Sequence, residues 1–190
     1  QSSGSGGAGH RFYTTSSDIE KLRITSAGDV GIGAFNNTSY DSIAQNFLIA
    51  NESSHAGMTI RSGGSGAFGA IHFADGVSDN SEKRAGRILY GHDDDFMSFH
   101  TENTERLRID SGGRLMAGTT TEGHVDADDL TLQASSGYTG ITLRSATDQG
   151  GAIYFSDATS GAGEYDGQIV YSQNNQSMSF ATAQSTRLDR

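Results

Sequence analysis

The sequence predicts an all-β protein built from elongated, tandem β-rich modules, and three observations carry that expectation. The chain repeats itself. Met97-Ser98-Phe99-His100-Thr101, followed by Glu105-Arg106-Leu107-Arg108-Ile109-Asp110-Ser111, returns as Met178-Ser179-Phe180-Ala181-Thr182 with Thr186-Arg187-Leu188-Asp189. An earlier copy is Arg11-Phe12-Tyr13-Thr14-Thr15 with Glu20-Lys21-Leu22-Arg23-Ile24-Thr25-Ser26. Modules in series form an array of neighbours rather than one pocketed globule. Short segments alternate apolar and polar residues with period 2, the mark of half-buried strands. Turn formers separate them, and the chain holds 26 Gly and no Pro, which suits close strand packing with no backbone donor lost.

The register of the repeat drifts from 85 to 81 residues along the chain. Leu22-Arg23-Ile24 matches Leu107-Arg108-Ile109, Gly57 matches Gly140, Ala70-Ile71-His72-Phe73 matches Ala152-Ile153-Tyr154-Phe155, and Met97 matches Met178. The drift falls in Gly/Ser/Asp-rich stretches, where loops absorb insertions. The expected organisation is a Gly/Ser-rich leader at 1–9, the end of a preceding repeat at 10–33, a complete repeat at 34–118 and most of a second at 119–190. The leader reads as a linker, an expression remnant or a module end. A chain that starts and stops inside modules reads as part of a longer polypeptide.

Taken in order, the expected strands are Leu22–Ile24, Met58–Arg61, Ala70–Phe73, Arg87–Tyr90, Met97–Phe99, Leu107–Ile109 and Ile141–Arg144. Ser26-Ala27-Gly28-Asp29, Asp75-Gly76, Asp93-Asp94-Asp95 and Ser111-Gly112-Gly113 are the turns between them. Tyr40–Ala50 is the one stretch with the look of a short helix, whereas its counterpart Gly123–Gln133 reads as loop and strand.

Composition narrows the function classes. The formal net charge is −10 with no basic stripe, which argues against a nucleic-acid surface. There is no apolar run near 18 residues, so no membrane-inserting helix is expected. Cysteine is absent, which excludes disulfides and thiol chemistry. Leu, Ile, Val and Phe together make 34 of 190 residues, too few for each module to fill a core alone. The missing apolar partners are expected from neighbouring modules or other chains.

The repeat also tests individual residues, because what the module's fold needs should recur. Phe73/Phe155, Tyr90/Tyr171, Phe99/Phe180, Leu22/Leu107/Leu188 and Ile24/Ile109 recur, so they are expected in the core or at a subunit interface. No histidine recurs: His55, His72, His92 and His100 become Tyr138, Tyr154, Gln173 and Ala181. Asp93-Asp94-Asp95 has the carboxylate density of a hard-cation site. Its counterpart is Asn174-Asn175-Gln176, which keeps turn propensity without charge, so a hairpin turn is the preferred reading and no metal is assigned. Gly64-Ser65-Gly66-Ala67-Phe68-Gly69 matches G-x-G-x-x-G, but the strand-like Ala70–Phe73 follows where a dinucleotide site needs a helix. No nucleophile–base pair stands in a supporting context, so no catalytic residue and no cofactor are assigned. His92, Asp93, Asp94, Asp95 and Tyr138 remain as candidate receptor-facing loop residues, because they differ between copies.

The blocks Ile141–Ser145, Gly151–Asp157, Gly167–Tyr171, Ser177–Thr182 and Glu105–Gly113 together resemble the repeated modules of bacteriophage tail fibres, especially those of marine and cyanobacterial phages. The resemblance covers nearly the whole chain beyond Gly9. It implies an intertwined homotrimeric fibre with β-prism or β-helix-like segments, located on the virion. The implied partners are further copies of the chain, other tail or baseplate proteins, and a host surface glycan or receptor. Such fibres often end in an intramolecular chaperone, of which this sequence carries no part. The last residues, Leu188-Asp189-Arg190, depart from the L-R-I-D-S expected of the family block and present at Leu107–Ser111. Two alternatives stand beside this reading: a polysaccharide-binding adhesion module, and a cellular extracellular filament or adhesin with similar repeats. A glycan-degrading spike would need paired carboxylates about 5–10 Å apart, and no recurrent pair marks one.

Overall fold

The computed structural model describes residues 9–14, 20–33, 46–51, 54–183 and 185–189. Strands dominate and fall into three open sheets of four, six and four strands. The chain clusters into two compact units, 1–97 and 98–190.

The first sheet contains β1 (His10–Tyr13), β2 (Glu20–Ile24), β3 (Val30–Gly33) and β4 (Phe47–Ala50). β1 and β2 are antiparallel with Phe12 opposite Leu22, and β2 and β3 are antiparallel with Leu22 opposite Ile32. β3 and β4 run parallel, Val30 opposite Phe47. The helix expected over Tyr40–Ala50 is therefore corrected where it can be seen. Phe47–Ala50 is a strand, and 40–45 lie outside the described residues. The ladder opens with the Val30 amide donating to the Asn46 carbonyl at 2.8 Å. An apolar Phe-Leu-Ile run beside an open strand edge gains ladder bonds that an isolated short helix would not.

The six-stranded set comprises β5 (Phe68–Phe73), β6 (Gly86–Gly91), β7 (Phe96–Thr101), β8 (Thr104–Ile109), β9 (Leu115–Ala117) and β10 (Leu130–Leu132). β5 pairs antiparallel with β6, β8 antiparallel with β9, and β9 parallel with β10. The last sheet is β11 (Gly150–Phe155), β12 (Gly167–Ser172), β13 (Ser177–Thr182) and β14 (Ser185–Asp189), antiparallel throughout. β1–β4 thus correspond to β7–β10, and β11–β14 to β5–β8. The short α1 (Asn80–Lys83), capped by Asp79, and a 3-10 turn at Gly161–Tyr165 occupy equivalent connections, and sequence periodicity did not announce either.

Fine features repeat with the sheets. A β-bulge follows Phe12 in β1 and Phe180 in β13. Glu102 and Asn103, at φ 49° and 56°, form the tight β7–β8 hairpin, and Ala183 repeats the first of them at φ 49°. The parallel pairs end alike. Gly33 and Gly118 sit at φ 91° and 76°, where a Cβ would overlap the carbonyl oxygens of Ala50 and Gln133. Glycine is required there for both backbone conformation and space.

Among the described residues, the two segments expected as strands at Met58–Arg61 and Ile141–Arg144 pair in no sheet. They lie over a sheet face instead of along its edge. A Cβ on Gly69 of β5 would stand 3.7 Å from Ile60 Cγ2, and one on Gly151 of β11 would stand 3.3 Å from Leu143 Cβ. Period-2 patterning marks an amphipathic extended segment but does not say whether a ladder partner lies within the same chain.

Little of the chain is interior. Among the described residues, Leu89 and Met116 are the buried hydrophobics, while twenty-four large hydrophobics are more than a third exposed.

Candidate functional site

Two apolar grooves occupy matching places in the two copies. In each, an unpaired extended segment forms one wall and the face of a hairpin forms the floor. The first groove, about 230 Å³, is lined by Ile60, Ile71, Ile88, Tyr90, His92 and Met97. The second, about 190 Å³, is lined by the repeat-related Leu143, Ile153, Ile169, Tyr171, Gln173 and Met178. The floors follow from antiparallel register, since Ile71 stands opposite Ile88 and Ile153 opposite Ile169. The crossing segment packs against both glycines: a Cβ would make ordinary contact at Gly69 and would crowd Leu143 at Gly151.

The residues expected in the core or at an interface divide between these settings. Tyr90 and Tyr171 line the grooves half-buried. Leu22, Ile24 and Leu107 are half-buried on their strands. Phe73 and Phe155 are 58% and 60% exposed, and Phe99, Ile109 and Phe180 are also exposed. Leu188 stands opposite Phe180 in the β13–β14 pairing. Within the chain, then, the recurrent aromatics are largely surface residues.

The expected receptor-facing residues are only partly gathered. His92, Asp93, Asp94 and Asp95 form the turn between β6 and β7, and Asp95 takes φ 50° as Gln176 takes 51° in the equivalent turn. The Tyr90 hydroxyl donates to Asp95 Oδ1 at 2.9 Å, and the Tyr90 and His92 rings meet edge to face at 4.9 Å. The hydrogen bond to the Asp95 carboxylate raises the Tyr90 phenol above its ordinary range. Tyr138, on a separate loop, is fully exposed. Among the described residues no group of three His, Cys, Asp or Glu side chains is placed to hold a metal ion. The Gly64–Gly69 run forms a turn into β5, not the start of a helix, so it lacks the geometry of a dinucleotide cradle.

One cluster superficially suggests a hydrolytic relay. His100 Nε2 lies 2.9 Å from Ser98 Oγ and 3.9 Å from Glu105 Oε2. The same ring nitrogen faces both groups, whereas a relay uses one nitrogen for the nucleophile and the other for the acid. Ser98 is fully buried, and Arg108 already engages Glu105 through two hydrogen bonds of 2.8 Å. The arrangement is a polar packing cluster. Its counterpart on β2 pairs Glu20 with Arg23 in the same two-pronged way.

Sequence reasoning missed the polar clamps that hold the parallel strand pairs. In one, Asp29 is buried, accepting from Asn46 Nδ2 at 2.9 Å and from Thr25 Oγ1 at 3.2 Å. In the other, Arg114 reaches Asp110 at 2.7 Å and Asp128 at 3.0 Å. Arg114 holds the Asp110 carboxyl below its usual range, and the two carboxylates raise the guanidinium. Thr25 and Asp29 align with Asp110 and Arg114 in the repeat, whereas Asn46 aligns with Asp129 and not with Asp128, so the pattern was present only in part and with different chemistry in each copy.

No protein-family model matches the chain, and no curated protein matches it.

Proposed function

We propose that this chain is a structural segment of a trimeric phage tail fibre, one that projects from the virion and supports attachment to the host cell. The observation that carries the reading is the paired exposure of repeat-related apolar residues. Phe73 and Phe155, Ile60 and Leu143, and Met97 and Met178 are open to solvent at equivalent places in both copies. Scattered exposed hydrophobics are ordinary. A set repeated in register along the chain is a patch with a period, and such patches mark interaction surfaces. Three chains wound around one axis would pool these residues into the core each chain lacks, as an intertwined β-prism-like fibre, and would cover open strand edges. The acidic exterior suits a projecting fibre that must stay dissolved. Other tail or baseplate proteins would hold its ends. The copy-specific turn at His92–Asp95 and the Tyr138 loop are the places for contact with host glycan.

The test is absolute mass in solution by light scattering over a dilution series. A stable species at three times 20.0 kDa is the expected result. A well-folded monomer at every concentration would overturn the fibre reading.

A further inference from the structure

We infer that Met58–Arg61 and Ile141–Arg144 are intermolecular strands, each completing its backbone ladder with a second copy of this chain. The inference rests on the self-association proposed above and assigns the segments that carry it. Both segments alternate like strands. Among the described residues, no backbone hydrogen bond joins either one to the rest of the chain. Their apolar side chains stay open: Met58 and Ile60 are 57% and 46% exposed, Ile141 and Leu143 64% and 50%. An amphipathic extended segment with no ladder partner and half-open apolar side chains is an unfinished strand. Both copies also leave the same hydroxyl, Ser62 Oγ and Ser145 Oγ, buried without a hydrogen-bond partner at the segment's end.

Periodicity identifies the occupant. The two grooves beside these segments have matched linings, Ile60/Leu143, Ile71/Ile153 and Tyr90/Tyr171. A single chain that fills both in the same way must itself repeat every 81 to 83 residues. This chain has that period, and a second copy in register offers the same unpaired segments in return. Main-chain pairing would supply affinity, and the alternate apolar side chains would fix the register.

The test is amide hydrogen exchange on the full chain, with light scattering on the same samples. In the associated form, amides of 58–61 and 141–144 are expected to exchange about a hundredfold more slowly than in the diluted, dissociated form. The double variant Thr59→Pro/Thr142→Pro removes a donor from each segment and keeps every apolar side chain. It is expected to shift the association midpoint to at least tenfold higher concentration while β6 and β12 stay protected. If the chain associates but both segments exchange freely and the proline variant associates normally, the strand assignment is wrong and self-association stands. If the chain is monomeric throughout, both fail.

Discussion

Replacing Gly118 with alanine should cost far more than the same change at Gly113, although both glycines have nearly the same φ. Gly113 is at φ 84° with nothing near a new Cβ; Gly118 is at φ 76° with its Cβ position occupied by the Gln133 carbonyl oxygen. The left-handed conformation alone costs roughly 1–2 kcal/mol for an L-residue, and that is the whole expectation for Gly113→Ala. At Gly118 the strand β10 must also move away. That movement endangers the bonds from the Gln133 amide to the Ala117 carbonyl, 2.9 Å, and from the Leu115 amide to the Asp129 carbonyl, 2.8 Å. At about 1 kcal/mol each, Gly118→Ala should lose roughly 3–4 kcal/mol. For a chain of this length a kilocalorie shifts the melting temperature by about 2–4 °C. Thermal unfolding followed by circular dichroism should therefore separate the variants by several degrees. Hydrogen exchange should show the loss of protection centred on Leu130–Leu132. Equal destabilisation of the two variants would refute the close-approach argument and leave only the conformational cost.

Other expectations follow from the same structure. Leu89→Ala and Met116→Ala each remove a buried hydrophobic side chain and should each lower stability by about 2–5 kcal/mol in denaturant titrations. Phe73→Ala and Phe155→Ala act on exposed rings, so at concentrations below association they should change stability by no more than about 0.5 kcal/mol while weakening the oligomer seen by light scattering. Asp110 has a lowered folded-state pKa, so its contribution is fully present above the unfolded value of about 3.9 and is lost as pH falls through the folded value. Acid unfolding monitored by fluorescence should begin at higher pH in Arg114→Met, which removes the largest cause of that shift and leaves the backbone bonds from residues 112 and 114. Tyr90 has a raised pKa, so its bond to Asp95 stabilises below about pH 10 and weakens as pH rises through the folded value. Tyr90→Phe should flatten the alkaline limb of the stability profile.

How much of this could be read in advance depended on whether a feature was local. Strands such as β5, β6 and β8 lie where alternation placed them, because side-chain period and strand pleat are the same number. The turn at Asp93–Asp95 was legible for a similar reason: Asp and Asn share a local turn preference, and both copies show it. The unpaired state of Met58–Arg61 and Ile141–Arg144 was not legible, since alternation is silent about the partner. Nor were the clamps around Asp29 and Arg114, whose partners lie 17 and 14 residues away in sequence.

By itself the sequence determined the repeat, the β character and the shortage of apolar residues, because composition and periodicity are properties of the chain alone. The tertiary structure decided that Phe47–Ala50 is a strand, that Gly33 and Gly118 close parallel pairs, and that the recurrent aromatics lie largely on the surface. Those outcomes turn on which backbone edge or side chain arrives from a distance, and ladder bonds, steric overlap and burial come into being only when distant segments meet.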